Sequence, residues 1–340
     1  MPALPLDLPP GSASGVGSLP GTAPLEVLPV VLDLPGLPYL PELPARGPGA
    51  DMIGRAFGIL VELYADLAPS GWRFAEHPGR DTRRAMSHLG QDLDALEERG
   101  EGYEGAIKVQ VAGPWALAST VELRHGDKAL SDPGACRDIA ASLAEGLRGH
   151  VAEVRKRLPR ATTVVVQLDE PTLPGVLRGS VRTASGFGTL RAVDGPVVEA
   201  TLRGVIDVLA ADGVPTVIHS CAADTPVALL HRAGAAGLAL DLSVAGEGAD
   251  EALGEFLEAG GVLLSGVVPA VDAPGGLSPL ATTVSPVQDL WHRLGLPRAG
   301  LGRVVPVPAC GLAGASPAWV RAVTIRCADA ARRLADLGQE

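Results

Sequence analysis

Aromatic residues and cysteines are both scarce in this sequence, and each shortage narrows the fold. Phe, Trp and Tyr make up 3% of the chain, whereas hydrophobic residues of all kinds make up 46%. A core with so few aromatics must be built from Leu, Val, Ile and Ala, which is typical of a parallel sheet buried on both faces by helices. The cysteines are too few and too widely spaced to staple a secreted domain by disulfides. They are Cys136, Cys221, Cys310 and Cys327.

The sequence also lacks the features that mark nucleic-acid or membrane partners. Its formal net charge is −11 with a pI near 5.1, and basic residues occur only in short groups such as "RKR" at 155–157. This balance argues against a nucleic-acid partner. No run of about 18 or more apolar residues occurs, and the first residues show no basic segment followed by a cleavable apolar one. We therefore expect a soluble cytoplasmic protein with reduced thiols and no membrane partner.

Short apolar runs alternate with longer amphipathic segments along most of the chain. The predicted strands are 14–20, 36–43, 106–114, 162–171, 214–221, 237–243, 261–269 and 303–311. The predicted helices are 49–66, 81–98, 133–157, 195–212, 225–234, 248–259, 279–295 and 316–337. One start signal is Ser316-Pro317, which has an N-cap residue followed by proline at the first helical position.

This alternation favours right-handed βαβ units and a parallel sheet. Eight predicted strands, each followed by a helix or a long connection, fit a closed (β/α)8 TIM barrel better than an open sheet. Residues 1–13 are rich in Pro and Leu without periodicity, so we interpret them as an irregular arm. Residues 14–340 then form a single α/β barrel domain.

Chemically distinctive residues stand where the predicted strands end. In a barrel of this kind the C-terminal strand ends converge on one face, where the active site is built. The residues at these ends are Gly17, Ser18, Glu42, Trp115, Asp169, His219, Cys221, Asp241, Asp272 and Cys310. Cys136 and Cys327 fall inside helical segments instead, where a packing role is expected.

Three of these residues predict a metal site. His219, Cys221 and Cys310 supply one imidazole and two thiolates, which are ligands that Zn²⁺ prefers. Asp241 would add a fourth ligand from the strand between them. Zinc bound by two thiolates is a weak activator of water but holds a substrate thiol well and lowers its pKa. The set therefore predicts activation of a thiol rather than hydrolysis.

Five short motifs, taken in order, resemble one known family. "GSLPGT" (17–22), "GPW" (113–115), "QLDEPTL" (167–173), "HSC" (219–221) and "PACGL" (308–312) resemble the C-terminal catalytic barrel of cobalamin-independent methionine synthase. That family belongs to the wider group with a uroporphyrinogen decarboxylase-like barrel. The resemblance spans roughly residues 14–330. It implies a methyltransferase of methionine biosynthesis that methylates the sulfur of homocysteine.

The resemblance also implies roles for the metal-side residues. It assigns zinc to His219, Cys221, Cys310 and the position of Asp241, where the family has a Glu that is one methylene longer. Glu247 in the following loop is the alternative fourth ligand.

On the substrate side, Asp169 is implied to bind the amino group of homocysteine, with Glu42 as a second carboxylate beside it. Gly17 and Ser18 are implied to contact the carboxylate of the amino acid. Trp115 is a candidate wall for a planar methyl donor, although a packing role for this side chain is equally consistent with the sequence.

The donor half of the site departs from the family. We expect a short single-barrel form without the family's N-terminal barrel, and only Asp272 stands near the strand-seven position of the family's proton-supplying His. The methyl donor is therefore open between methyltetrahydrofolate and a methylcorrinoid or corrinoid protein. Two other readings stay open: a corrinoid-dependent methyltransferase or uroporphyrinogen decarboxylase-like enzyme, and a non-catalytic zinc-binding barrel. A decarboxylase cleft would draw on arginines near the early strand ends, namely Arg46, Arg55 and Arg73.

Overall fold

The strands of the protein form two sheets in a computed structural model that describes residues 4–340, apart from the side chain of Glu247. An antiparallel hairpin pairs β1 (Tyr64–Ala68) with β2 (Gly71–Ala75). The larger sheet has six parallel strands, hydrogen-bonded to one another in chain order. They are β3 (Gly105–Ala112), β4 (Ala161–Asp169), β5 (Thr216–Ser220), β6 (Gly237–Asp241), β7 (Val262–Val268) and β8 (Val305–Pro308).

Helices follow most of the parallel strands and cover the outer face of the sheet. The α-helices are α1 (Pro24–Leu32), α2 (Met52–Ala56), α3 (Arg80–Arg99), α4 (Pro114–Thr120), α5 (Pro133–Arg157), α6 (Leu173–Arg178), α7 (Gly195–Ala211), α8 (Val227–Arg232), α9 (Asp250–Glu258), α10 (Leu280–Leu294) and α11 (Pro317–Leu337). Short 3₁₀ helices lie at Pro44–Arg46, Ala129–Ser131, Glu247–Ala249 and Arg298–Arg303. Among the described residues, none of these helices is long and apolar enough to span a membrane.

Helix ends show how local sequence sets the elements. Ser316 caps α11 by accepting a hydrogen bond from the Trp319 amide, as its Ser-Pro sequence predicts. The predicted helix 49–66 is wrong, because only Met52–Ala56 is helical and Tyr64–Ala68 is a strand. Glu62 between them has a φ of 59°, a left-handed conformation that no continuing helix allows.

The first two predicted strands, 14–20 and 36–43, are wrong as regular strands. Their residues make only isolated bridges, such as Ser18 with Glu42 and Tyr39 with Lys108. The second segment contains prolines at positions 38 and 41, and each proline removes a backbone donor that a strand ladder needs.

These two segments nevertheless lie between the edge strands of the sheet. The amide of Ser14 donates to the carbonyl of Pro306 on β8 at 3.2 Å, and the amide of Leu40 donates to the carbonyl of Lys108 on β3 at 2.9 Å. The two segments join each other through the Ala13–Gly36 and Ser18–Glu42 bridges. The regular part of the fold is therefore a six-stranded parallel sheet, and its two edges are linked by irregular chain.

The inner face of the sheet changes character along the strands. Near their N-terminal ends it is apolar, with Val165, Val217 and Val305 in one buried cluster. Two and four residues further along β4 come Gln167 and Asp169, which share a face with Val165 because side chains alternate along a strand. The site described below therefore stands on an apolar floor.

The N-terminal arm contributes to that floor. Leu6 is 3% exposed and belongs to the same inner cluster as Leu37 and Val165, with Leu8 packed against it. At least this part of the predicted arm is tied to the core. The division of the chain into an arm and one barrel domain stays a prediction.

We expect Leu6→Ala to lower the free energy of unfolding by about 2–4 kcal/mol, since it opens a cavity in a buried apolar cluster. Urea denaturation followed by circular dichroism measures the change. The matched control is Leu25→Ala, because Leu25 is 36% exposed on α1; its effect is expected within about 0.5 kcal/mol. Equal effects of the two variants would show that Leu6 does not belong to the core.

Candidate metal and amino-acid site

The end of β5 and the end of β8 bring three predicted metal ligands together. His219 lies on β5, Cys221 directly follows the last residue of that strand, and Cys310 lies two residues beyond β8. Their ligand atoms all lie within 4.8 Å of one another. The sulfurs of Cys221 and Cys310 are 3.0 Å apart. His219 is 5% exposed, while both cysteines are half-buried, so the cluster is open on the sulfur side.

The imidazole of His219 is held in one orientation. Its Nδ1 lies 2.9 Å from Oδ1 of Asp169, and because the carboxylate can only accept, Nδ1 carries the proton. The other ring nitrogen, Nε2, is buried and has no hydrogen-bond partner among the described residues. Histidines that bind metals commonly show this arrangement, with a carboxylate fixing the tautomer from behind. The donor set therefore fits a metal ion.

The two sulfurs lie within hydrogen-bond distance of each other, and either can be the donor. The hydrogen bond with Cys221 lowers the pKa of the Cys310 thiol to about 6. The same hydrogen bond, together with burial, raises the pKa of Cys221. A metal ion bound by both sulfurs would require both thiols to be deprotonated.

The structure does not add the predicted fourth ligand to this group. Oδ1 of Asp241 accepts hydrogen bonds from the amide and hydroxyl of Ser243, at 2.9 and 2.7 Å. Among the described residues, Asp241 does not belong to the group within 4.8 Å. The side chain of Glu247 lies outside what the structure describes. The fourth ligand stays a prediction.

Asp272, the predicted proton donor, is engaged elsewhere. It is exposed, and its carboxylate accepts hydrogen bonds from the Ser316 hydroxyl and amide at 2.6 and 2.8 Å. These bonds lower the pKa of Asp272 below its ordinary value, and its role as a proton donor stays a prediction. Its contact with Ser316 ties the β7–α10 loop to the start of α11.

The predicted amino-acid-binding residues adjoin the metal ligands. The Glu42 amide donates to the carbonyl of Gly17 at 3.1 Å, which places Ser18 and Glu42 side by side. On the other side, a Cβ added to Gly311 would lie 2.2 Å from the Ser18 hydroxyl oxygen. Only glycine after Cys310 allows this approach, so Ser18 lies between the second carboxylate and the cysteine end of the site.

Glu42 sits in a buried and charged setting. Burial raises its pKa to about 7, the guanidinium of Arg55 at 3.9 Å opposes this shift, and the charge of Asp169 adds to it. Lys108 lies in the same layer, fully buried, where its ammonium donates to the Val16 carbonyl at 3.0 Å. Burial lowers the pKa of Lys108 to about 8, against the pull of Asp169 and Glu42. Opposite charges thus stand together beneath the site.

Glu170 is a residue whose role the sequence analysis missed. It is fully buried, and its carboxylate accepts hydrogen bonds from the Trp115 and Ala116 amides at 2.9 and 2.8 Å. It thereby caps α4, whose own N-cap residue, Gly113, has no side chain to do so. Two features of the sequence indicate this capping role. Helix α4 begins with a proline and has no capping side chain before it, and β4 ends at Asp169, which is followed directly by a second acidic residue, Glu170.

Trp115 packs against helix α7. Its ring is 1% exposed, and its indole nitrogen donates to the Val198 carbonyl at 3.4 Å. It borders an apolar groove of about 1140 Å³ between α5 and α7. The contacts describe a packing role for this side chain, and a role as the wall of a donor site stays a prediction.

The chain has an α/β fold with a parallel sheet. His219, Cys221 and Cys310, which could hold a metal ion, lie at the carboxyl ends of the strands. The chain is similar in fold to the solved structure of a B12-independent methionine synthase from Shewanella sp. W3-18-1 in complex with selenomethionine. The TM-score is 0.57 at 12% identity, covering 95% of this chain and 97% of that one. At this identity the similarity concerns the fold alone.

Two further comparisons carry no argument because of their low TM-scores. An active-site mutant of a Rhizomucor miehei β-1,3-glucanosyltransferase in complex with laminaritriose gives 0.29 at 8% identity, over 67% of this chain and 72% of that one. Morphinone reductase in complex with tetrahydroNAD gives 0.34 at 14% identity, over 75% of each chain. No protein-family model and no curated protein matches the sequence.

We expect Asp169→Asn to weaken Co²⁺ binding about 10- to 100-fold, because an amide no longer fixes the tautomer of His219. Competition with a chromophoric chelator measures the affinity. Asp289→Asn, on the exposed side of α10, is the control and should bind as the wild type does. Unchanged affinity in Asp169→Asn would mean that this carboxylate does not orient a metal-binding histidine.

The buried carboxyl of Glu170 predicts a pH effect on stability. Burial raises the pKa of Glu170 to about 8 from 4.5, so the folded state binds a proton that the unfolded state releases between these values. The free energy of unfolding therefore falls as pH rises across this range. Glu170→Gln has no titrating group at this position, so its free energy of unfolding relative to that of the wild type should rise by on the order of 2 kcal/mol between pH 5 and 8.

Urea denaturation at both pH values checks this expectation. Glu101→Gln, in an exposed turn, is the control, and its difference from the wild type should not change with pH. A pH-independent difference for Glu170→Gln as well would contradict the burial of a protonated carboxyl.

Proposed function

We propose that the protein is a zinc-dependent S-methyltransferase that transfers a methyl group to the thiol of homocysteine to give methionine. The observation that carries the proposal is the unpartnered Nε2 of His219 beside the sulfurs of Cys221 and Cys310. The fold similarity to a B12-independent methionine synthase in complex with selenomethionine supports the same reading. The motif resemblance adds an independent argument, because its residues fall on this site.

His219, Cys221 and Cys310 would hold the zinc ion, with Asp241 or Glu247 as the proposed fourth ligand. When bound, zinc supplies positive charge that lowers the pKa of a substrate thiol and keeps it as a thiolate at neutral pH. Asp169 fixes the His219 tautomer from behind. The open sulfur side of the cluster leaves room for the incoming thiol.

The residues beside the metal cluster suit the amino-acid part of homocysteine. Asp169 and Glu42 offer carboxylates to its ammonium, and Gly17 and Ser18 offer backbone and hydroxyl donors to its carboxylate. An ammonium that arrives beside Glu42 favours the ionised form of that buried acid. Because both ends of the amino acid are fixed, the thiol is directed to one place, which serves in-line attack on a methyl group.

The methyl donor would approach from the side opposite the metal ligands. We retain methyltetrahydrofolate and a methylcorrinoid or corrinoid protein as donors, with Asp272 as the proposed proton source. We also propose that residues 13–18 and 36–42 take the places of the first two strands, so that the sheet closes as an eight-position TIM barrel. The cytoplasm is the proposed location.

The decarboxylase alternative is weakened, because the arginines that its substrate cleft would need already pair with acids of the protein. Arg46 and Arg55 both pair with the buried carboxylate of Asp92, and Arg73 pairs with Glu122. These arginines neutralise acids of the protein itself, so they are poorly placed to bind a substrate with many carboxylates. A non-catalytic zinc barrel would be closed by four protein ligands and would not need an amino-acid site beside the metal, so the response to homocysteine separates it from the proposed enzyme.

Metal content and turnover test the proposal together. We expect about one zinc per chain in the wild type by elemental analysis, and methionine formation from homocysteine with one of three donors: methyltetrahydrofolate, its polyglutamate or methylcobalamin. Cys310→Ala should lose the zinc and at least about 100-fold of the activity, because it removes a ligand rather than a supporting residue.

Cys136→Ala is the matched control, since Cys136 lies in α5 and should keep both zinc and activity. Bound zinc without a calorimetric response to homocysteine would leave only the non-catalytic zinc barrel. Absence of zinc from the folded wild type would rule out the proposed mechanism.

A further inference from the structure

Gln167 lies on the inner face of β4, two residues before Asp169 and on the same side of the strand, and it is fully buried. Its amide nitrogen lies 2.9 Å from the carbonyl oxygen of Val16 and 2.7 Å from Oδ1 of Asp169. Both neighbours can only accept hydrogen bonds, so the chemistry fixes the amide orientation with its two hydrogens directed at them. The amide oxygen is left buried without a partner among the described residues.

These bonds complete a chain through the site. Val16 immediately precedes Gly17 and Ser18, the residues proposed to hold the substrate carboxylate. Asp169 accepts from Gln167 and from His219 on the same oxygen. One buried amide thus touches both the segment that carries the amino-acid donors and the carboxylate that orients the metal-side histidine.

On the basis of the proposed function, we infer that Gln167 is a positioning residue that couples amino-acid binding at Gly17 and Ser18 to metal binding at His219. Movement of the Val16 carbonyl changes the direction of the Gln167 amide, and the Asp169 oxygen follows because it shares that amide. A ligand that fixes the Gly17–Ser18 segment therefore fixes the imidazole as well. Positive coupling between the two halves of the site results.

Two neighbouring side chains show why the role belongs to Gln167. Lys108 also donates to the Val16 carbonyl, at 3.0 Å, but no hydrogen bond joins it to Asp169. Gln110 lies in the same buried layer on β3, where its amide nitrogen donates to the Leu40 carbonyl at 2.6 Å. Of these three buried donors, Gln167 is the one that bonds to both halves.

The test measures Co²⁺ affinity with and without saturating L-2-aminobutyrate, which is homocysteine without its thiol. This probe fills the amino-acid site but cannot ligate the metal, so any change in Co²⁺ affinity passes through the protein. We expect L-2-aminobutyrate to tighten Co²⁺ binding about fivefold or more in the wild type. In Gln167→Met the tightening should fall below about twofold, and the affinity for Co²⁺ alone should fall about threefold to tenfold.

Ser265→Ala is the control, because Ser265 is also fully buried in the sheet, on β7, and its hydroxyl has no hydrogen-bond partner among the described residues, so the chain from Val16 to His219 stays intact. It should keep the wild-type tightening. Gln167→Leu provides a second test if the methionine variant does not fold, because a leucine side chain fills much of the same space and cannot donate to Asp169. Thermal unfolding by circular dichroism shows which variants are folded.

Wild-type tightening in a folded Gln167 variant would overturn the inference, as would its loss in Ser265→Ala or its absence from the wild type. Failure of the proposed function looks different. In that case calorimetry shows no homocysteine binding to the zinc-loaded wild type and no donor yields methionine. Homocysteine that binds and is methylated, with unchanged coupling in Gln167→Met, rejects the positioning role alone.

Discussion

The hydrogen bond between Asp169 and His219 is the interaction on which the candidate site depends. At 2.9 Å it places the proton on Nδ1. Nε2 is then unprotonated, has no hydrogen-bond partner among the described residues, and can bind a metal ion beside the two sulfurs. Without this hydrogen bond the imidazole could rotate or exchange tautomers, and the three ligand types would no longer define one ion position. The bond exists because Asp169 and His219 are paired in register on adjacent parallel strands. The register of β4 and β5 therefore determines which nitrogen of His219 is available to a metal ion.

Around this bond, residues at different positions along the strands have different roles. The inner face of the sheet is apolar near Val165 and Val217 and becomes polar at Gln167 and Asp169. Electrostatic interactions are stronger above this apolar layer than in water. The charges of Asp169 and Glu42 therefore favour the protonated form of Lys108, although burial lowers its pKa. The neighbouring Glu170 has a different task, since it satisfies the amides at the start of α4. Two adjacent acids in one motif thus serve the site and the scaffold separately.

Much of this arrangement follows from the sequence. Helical periodicity predicts α5 with both of its ends, and apolar runs predict the six regular strands to within a few residues. The meeting of His219, Cys221 and Cys310 follows from their places at strand ends. Other features depend on three-dimensional contacts that periodicity does not encode. Gln167 looks like an ordinary strand residue until β4 brings it to Val16, and the hydrogen bonds between Asp241 and Ser243 are likewise visible only in the folded chain.

The irregular segments between β8 and β3 have a consequence for motion. Regular strands are laced together at every second residue, but residues 13–18 and 36–42 are joined by a few isolated bridges. This seam between the two segments has few backbone hydrogen bonds, and local opening is easiest where such bonds are few. Ser18 and Glu42 face each other across it, so an amino acid held by both would cross-link the seam from within. A bound amino acid would then hold the two segments together, and they would separate more readily in its absence.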